Sequence, residues 1–232
     1  MQPELMAHRG NSAVAPENTL AAFAEALKTP AQSCELDVHL SADGEVIVMH
    51  DATVDRTTNG TGAIADLTLA QIKALDAGGW FGKRFVGEKV PTLAEVVALV
   101  GDKVKLNVEI KSAADPDSSL KVVQILRDGG ILEQSMISSF GLQALLETRK
   151  HWPKGTLALI TGKGSDLQIA IDHGMQWFNI YYHEVDEALV KRAHAAGLKV
   201  MIWTMDDPDL WAHYAALEVD GICTNAPHLM PV

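Results

Sequence analysis

Nine short apolar runs punctuate the chain: 5–7, 34–40, 46–49, 104–110, 136–138, 156–160, 177–180, 198–203 and 221–223. Each has the length of a strand, and helix signals fill most of the intervals. Pro16 suits a first helical turn, with Leu20, Phe23, Ala24 and Leu27 following at helical spacing. Thr92-x-x-Glu95 is a capping box ahead of Leu93, Val96, Val97 and Val100, and Gly101 supplies the stop. Asp186 can cap a helix that Gly197 ends, and Asp207-Pro208 can open one running through Trp211 and Leu217. Strands that alternate with helices pack as a mainly parallel α/β sheet.

One run has a different origin. Asp43-Gly44 lies between alternating apolar segments, the strongest short-range signal for a hairpin. A turn centred there makes 46–49 the return arm of 34–40, and eight strands remain. A (β/α)8 TIM barrel is therefore the expected architecture, as a single unit over 1–232. An open doubly wound sheet is the rival, and it lacks a G-x-G-x-x-G after the first strand. The stretch 52–90 breaks the rhythm with Gly60, Gly62, Gly78, Gly79, Gly82 and Gly87 around one helix that Thr68-x-x-Gln71 introduces. It reads as an insertion over the barrel mouth, after the second strand and its hairpin, with Trp80, Phe81 and Phe85 giving it packing of its own.

The same hairpin carries chemistry. Pairing about Asp43-Gly44 brings Asp37 opposite His50, and the two-residue period of a strand puts Glu35 beside Asp37. Leu36, Val38 and Leu40 take the other face. In 105–111, Asn107, Glu109 and Lys111 alternate with Leu106, Val108 and Ile110, so a barrel brings Glu109 to the same rim as Glu35 and Asp37. Three converging carboxylates repel one another unless a cation separates them, and an all-oxygen set suits Mg2+ or Ca2+ rather than zinc. The first strand ends in His8-Arg9-Gly10. Beside such a cluster His8 and His50 can act as an acid/base pair, Arg9 can bind phosphate in a bidentate manner, and Lys111 adds a point charge. Together these groups imply phosphodiester chemistry.

Composition narrows the partners. The chain is 47% apolar and 21% charged, with a formal net charge of -11. Such a surface argues against nucleic acid or an anionic membrane as the main partner. No apolar run approaches the ~20 residues of a spanning helix, and the first residues lack a basic segment with an apolar run behind it. No membrane insertion and a cytoplasmic location are expected. Cys34 and Cys223 show no metal spacing and read as small buried strand residues.

Several motifs, in order, resemble those of the glycerophosphodiester phosphodiesterase family, in its short cytosolic bacterial form. They are His8-Arg9-Gly10, Pro16-Glu17-Asn18-Thr19, Glu35-Leu36-Asp37-Val38, Asp43-Gly44, His50-Asp51, Thr57-Thr58-Asn59-Gly60, Pro91-Thr92-Leu93, Glu109-Ile110-Lys111 and Trp203-Thr204. The likeness implies metal-dependent hydrolysis of glycerophosphodiesters, such as glycerophosphocholine and glycerophosphoethanolamine, to sn-glycerol 3-phosphate and an alcohol. By motif, Glu35, Asp37 and Glu109 match the ligands of a divalent cation, Mg2+ first and Ca2+ or Mn2+ as alternatives. His8 and His50 match the catalytic pair, Arg9 and Lys111 the phosphate-binding residues, Glu17 a supporting acid, and Trp203 an aromatic on the glycerol side.

The chain departs from the family pattern twice. Met205-Asp206 follows Trp203-Thr204 where a small apolar residue and Asn are frequent, and Asn225 stands where Asp is common. Asp206 reads either as an extra acid near the rim or as a solvated residue before the Asp207 cap. Two other readings of the whole are a phospholipase-D-like enzyme acting on membranes and an inactive barrel that only binds anions. Neither a signal peptide nor a disulfide framework supports the first, and retention of every motif acid and both histidines opposes the second. The partner is a small-molecule substrate, and a homodimer through barrel helices stays open.

Overall fold

The computed structural model describes residues 2–111 and 116–230. Of the unit expected over 1–232, residues 1, 112–115, 231 and 232 lie outside the described residues. Eight parallel strands close into a barrel: β1 (Glu4–His8), β2 (Ser33–Leu40), β4 (Lys105–Ile110), β5 (Met136–Ser139), β6 (Leu157–Thr161), β7 (Trp177–Tyr181), β8 (Lys199–Trp203) and β9 (Gly221–Thr224). β3 (Val46–Val48) is antiparallel to β2 alone. Closure is made by β1, which lies between β9 and β2. Each apolar run of the sequence is one of these strands, to within a residue or two at either end.

β2 serves two neighbours along one edge. Ser33, Cys34 and Glu35 pair with β1, and beyond the end of β1 the residues Val38, His39 and Leu40 pair with β3. The other edge holds β4 from Ser33 to Val38. The site-bearing strand is thus hydrogen-bonded on both sides, and its backbone is fixed before any side chain is considered.

The hairpin differs from expectation by one residue. Val38 pairs with Val48, which sets Asp37 against Met49, whose N–H donates to the Asp37 carbonyl over 3.0 Å. His50 is one place further on. The Ser41–Glu45 backbone bond closes a three-residue loop in which Gly44 takes φ +80°, the left-handed position such loops require. His50 still reaches the mouth because it lies past the end of β3, where strand alternation no longer dictates direction.

The helices are α1 (Leu20–Ala26), α2 (Leu69–Ala74), α3 (Leu93–Val100), α4 (Pro116–Asp128), α5 (Leu142–His151), α6 (Leu167–Asp172), α7 (Glu187–Ala195) and α8 (Trp211–Ala216). The capping boxes at Thr68 and Thr92 form in full, and Asp186 caps α7. Pro16 does not open α1. Thr19 caps it instead, accepting from Ala22 N, because Asn18 stands in the left-handed region at φ 57° and cannot continue into a helix. Asp207-Pro208 begins a 3-10 turn that runs into α8. Among the described residues no helix is long and apolar enough to cross a membrane.

The core has two layers, as barrel alternation requires. Leu36, Val38, Leu106, Val108, Ile110, Phe178 and Ile222 pack outward under the helices. Met6, Met136, Ala158, Trp177, Met201 and Cys223 fill the barrel interior. Cys34 and Cys223 are free and buried. Between β3 and α3 the chain builds a small core of its own from Ile47, Met49, Val54, Ile64, Ile72, Ala77 and Val90. Phe81 stacks edge-on against Trp80 and Phe85, and Arg84 donates to the Val14 carbonyl.

Candidate active site

Alternation along β2 and β4 turns Leu36, Val38, Leu106, Val108 and Ile110 to the helices and leaves their polar neighbours inside the barrel. Asp37 and Glu109 are direct neighbours in the sheet. One oxygen each from Glu35, Asp37 and Glu109 lies within 4.8 Å of the others, and all three side chains are buried. Burial, reinforced by Asp37 and Glu109, pushes the Glu35 carboxyl well above its ordinary value. Glu109 is pushed up to about 7, by burial first and Asp37 second. Burial acts on Asp37 in the same sense, but Lys111 and Arg9 outweigh it and hold Asp37 down to about 2.

These acids fit a hard divalent cation. Asp37 Oδ1 and Glu109 Oε1 are buried without an aligned hydrogen bond, and the donors are all oxygen. Their contact is ionic: Lys111 Nζ lies 3.0 Å from the first and 2.7 Å from the second. No other group of three or more acids, histidines or cysteines converges in this way among the described residues.

Arg9 follows β1 in the left-handed region, φ 55°, an unfavourable place for a long side chain. That turn aims its N–H at Glu35 Oε2, 3.1 Å away, and its guanidinium at Asp37 and Glu17. Gly10 follows at φ +81°, where a Cβ would meet the Ala22 backbone. Glu17 is shared: it accepts from Arg9 Nη1 and from both terminal nitrogens of Arg56. Arg56 in turn donates to both oxygens of Asp51. Asp51 Oδ1 stands 2.7 Å from His50 Nδ1, and His39 Nε2 lies 3.1 Å from the His50 carbonyl.

His8 has its own support. Its Nδ1 is 2.7 Å from Asn225 Oδ1 and its Nε2 is 3.9 Å from Glu35 Oε2. Burial, with Arg9 next, lowers its pKa to about 4, so the ring is neutral at pH 7. Opposite the acids stands an aromatic wall. Trp203 meets Phe140 edge-on at 5.6 Å and Tyr181 at 5.7 Å between ring centres.

A sequence model of the "Glycerophosphoryl diester phosphodiesterase family" matches residues 8–229. The chain belongs to this family. A glycerophosphodiester phosphodiesterase of Caldanaerobacter subterraneus subsp. tengcongensis is 38% identical, over 99% of this chain and 97% of its own. An Oleispira antarctica phosphodiesterase solved with the product sn-glycerol-3-phosphate superposes with TM-score 0.93 at 31% identity, covering 98% of this chain and 94% of that one. The glycerophosphodiester phosphodiesterase of Agrobacterium tumefaciens gives 0.86 at 31%, covering 99% and 98%. The family resemblance carried by the motifs and the barrel expected from the strand count are thereby established.

Within this glycerophosphoryl diester phosphodiesterase chain, His8, Arg9, Glu35, His50, Glu109, Lys111 and Trp203 line one cavity. Asp37 lies beneath it, fully buried. Glu17 is outside the lining and reaches it through Arg9. Phe140 joins the wall, whereas Trp80, Phe81 and Phe85 do not line the cavity.

Residues read without a role from sequence also act here. Asn18 donates to Asp37 Oδ2 and accepts from the Asp37 N–H. Arg56 and Asp51 reach His50, and His39 meets the His50 backbone. Asp206 is exposed, as a solvated residue before the Asp207 cap would be, yet its carboxylate also accepts from Thr224 Oγ1, Asn225 N and Asn225 Nδ2. The two departures from the family pattern, Asp206 and Asn225, are partners of each other. That complementarity, an acid gained at one position and lost at the other, was the signal available in the sequence.

Proposed function

We propose that this chain hydrolyses glycerophosphodiesters, glycerophosphocholine and glycerophosphoethanolamine among them, to sn-glycerol 3-phosphate and an alcohol. The observation that carries the reading is the convergence of three buried carboxylates beside two supported histidines at a barrel rim. In this reading Glu35, Asp37 and Glu109 hold a divalent cation, Mg2+ first among the candidates. A cation bound there neutralises the acids and polarises a phosphoryl oxygen.

The chain's own groups do the rest. Arg9 and Lys111 hold phosphate oxygens, with Glu17 keeping the Arg9 guanidinium in place. His8, neutral and with Nε2 free of the Asn225 contact, takes the proton of the attacking hydroxyl, whether from water or from the neighbouring glycerol hydroxyl. His50, oriented through Nδ1 by Asp51, protonates the alkoxide as its bond to phosphorus breaks. Trp203 packs on the glycerol carbons, and the segment 52–90 covers the mouth on the His50 side with Arg56 as its link to the site.

The test is release of glycerol 3-phosphate from glycerophosphocholine by EDTA-stripped protein with Mg2+, Mn2+ or Ca2+ restored, beside His8→Ala and Glu35→Ala. Metal-dependent release that both variants lose is the expected result. No release from any glycerophosphodiester under any of the three metals overturns the reading.

A further inference from the structure

We propose that Asp206 is a positioning residue whose carboxylate fixes the orientation of the Asn225 amide and, through it, which ring nitrogen of His8 faces the site unprotonated. The inference deepens the proposed function and rests on it for the role of His8.

An ionised carboxylate only accepts hydrogen bonds, whereas a primary amide donates at one end and accepts at the other. Asp206 Oδ1 is taken by Asn225 N at 2.7 Å and Thr224 Oγ1 at 2.9 Å. Its Oδ2 lies 2.7 Å from Asn225 Nδ2, so that end of the amide must be the NH2. The amide oxygen is therefore turned the other way, towards His8 Nδ1 at 2.7 Å, with Ser12 Oγ at 2.9 Å. An acceptor at that distance requires a proton on Nδ1. The Nε2 lone pair is left on the side of Glu35, where a proton acceptor is needed.

The arrangement predicts what a near-isosteric change does. In Asp206→Asn the oxygen that serves Asn225 N and Thr224 is retained, but an NH2 now faces the NH2 of Asn225. The Asn225 amide turns over to restore a donor–acceptor pair, offers its NH2 to His8 Nδ1, and drives the proton to Nε2. In the exchange Asp206→Asn with Asn225→Asp, the new carboxylate accepts from both His8 Nδ1 and the residue-206 amide, and the original tautomer returns.

The experiment is long-range 15N–1H NMR of the imidazole rings in the Mg2+-loaded protein, with the His8 signals identified by their loss in His8→Gln. Steady-state turnover of glycerophosphocholine is measured alongside. We expect Asp206→Asn to shift His8 from the Nδ1–H to the Nε2–H form and to lower kcat by on the order of 10²-fold with KM little changed. The exchange variant restores both the tautomer and kcat to within about threefold of wild type. A His8 ring that keeps Nδ1–H in Asp206→Asn, or one that changes tautomer without loss of kcat, overturns the proposal. Absence of turnover in the wild type would defeat the proposed function instead, and the tautomer comparison would still decide what Asp206 does.

Discussion

Asn18 holds Asp37 by its side-chain amide, Nδ2 donating to Oδ2 over 2.8 Å. The contact adds to the ion pairs that Arg9 and Lys111 make with the same carboxylate, and it comes from the turn that precedes α1. Partners of this kind commonly affect metal affinity by about 10–100-fold. Because Asn18 is left-handed, Asn18→Gly removes the amide without adding backbone strain. Calorimetric titration with Mn2+ or Mg2+ should show that loss of affinity while the melting temperature of the metal-free protein stays near wild type. Unchanged affinity would deny Asn18 its role.

Metal-free protein carries three mutually repelling buried acids, and this repulsion costs stability. Glu35→Gln keeps an oxygen for the Arg9 N–H and removes a carboxyl whose ionised form burial, Asp37 and Glu109 all oppose in the folded state. The variant should melt higher than wild type without metal, by about 2–4 °C if relief is near 1 kcal/mol. It should also gain much less on addition of Mg2+, since stabilisation by a ligand requires binding. Thermal scans with EDTA and with Mg2+ decide both signs.

The Arg56 fork is the foremost reason that the Asp51 carboxyl lies well below its ordinary range. At Glu17, burial raises the carboxyl but Arg56 and Arg9 prevail and lower it. Acids depressed in the folded state contribute stability above their unfolded pKa, near 4, and lose it as the pH falls through the folded value. Arg56→Ala should therefore be less stable than wild type at pH 7, by about 1 kcal/mol given that Arg56 is 45% exposed. The gap should narrow as the pH drops from about 5 towards 2, as followed by urea unfolding. A gap that widens in acid would contradict this account.

Gly10 sits at φ +81°, and a Cβ there would come within 2.6 Å of the Ala22 carbonyl carbon. Since Asn11 N donates to the Ala22 carbonyl over 3.0 Å, the backbone cannot yield without losing that bond. Gly10→Ala should cost about 2 kcal/mol or more, lowering the melting temperature by about 4–8 °C. A change below 1 °C would show that the turn accommodates the methyl.

How much of this was readable beforehand varies with the range of the interaction. Strand positions were legible because burial on one or both faces writes itself into consecutive residues. The acids on β2 and β4 followed from a two-residue period that a strand cannot break. The hairpin register was not: Asp43-Gly44 also suits a three-residue loop, and one extra residue moved His50 off Asp37. The start of α1 was misplaced because Pro16 is compatible with a helix whereas the left-handed Asn18 that delays it leaves no periodic trace. Arg56, Asn18, His39 and Asp206 contribute through side-chain hydrogen bonds made across loops and turns, and spacing encodes none of these.

The closure of β1 between β2 and β9 has a consequence for the order in which the protein becomes competent during synthesis. All three carboxylates have been made once residue 109 has been added, and so have both histidines. The partner of His8 Nδ1 is Asn225, 217 positions later. A chain emerging from the ribosome thus carries Arg9, Glu35, Asp37, Glu109 and Lys111 long before the His8 ring has its partner, and only the arrival of the last strand supplies it.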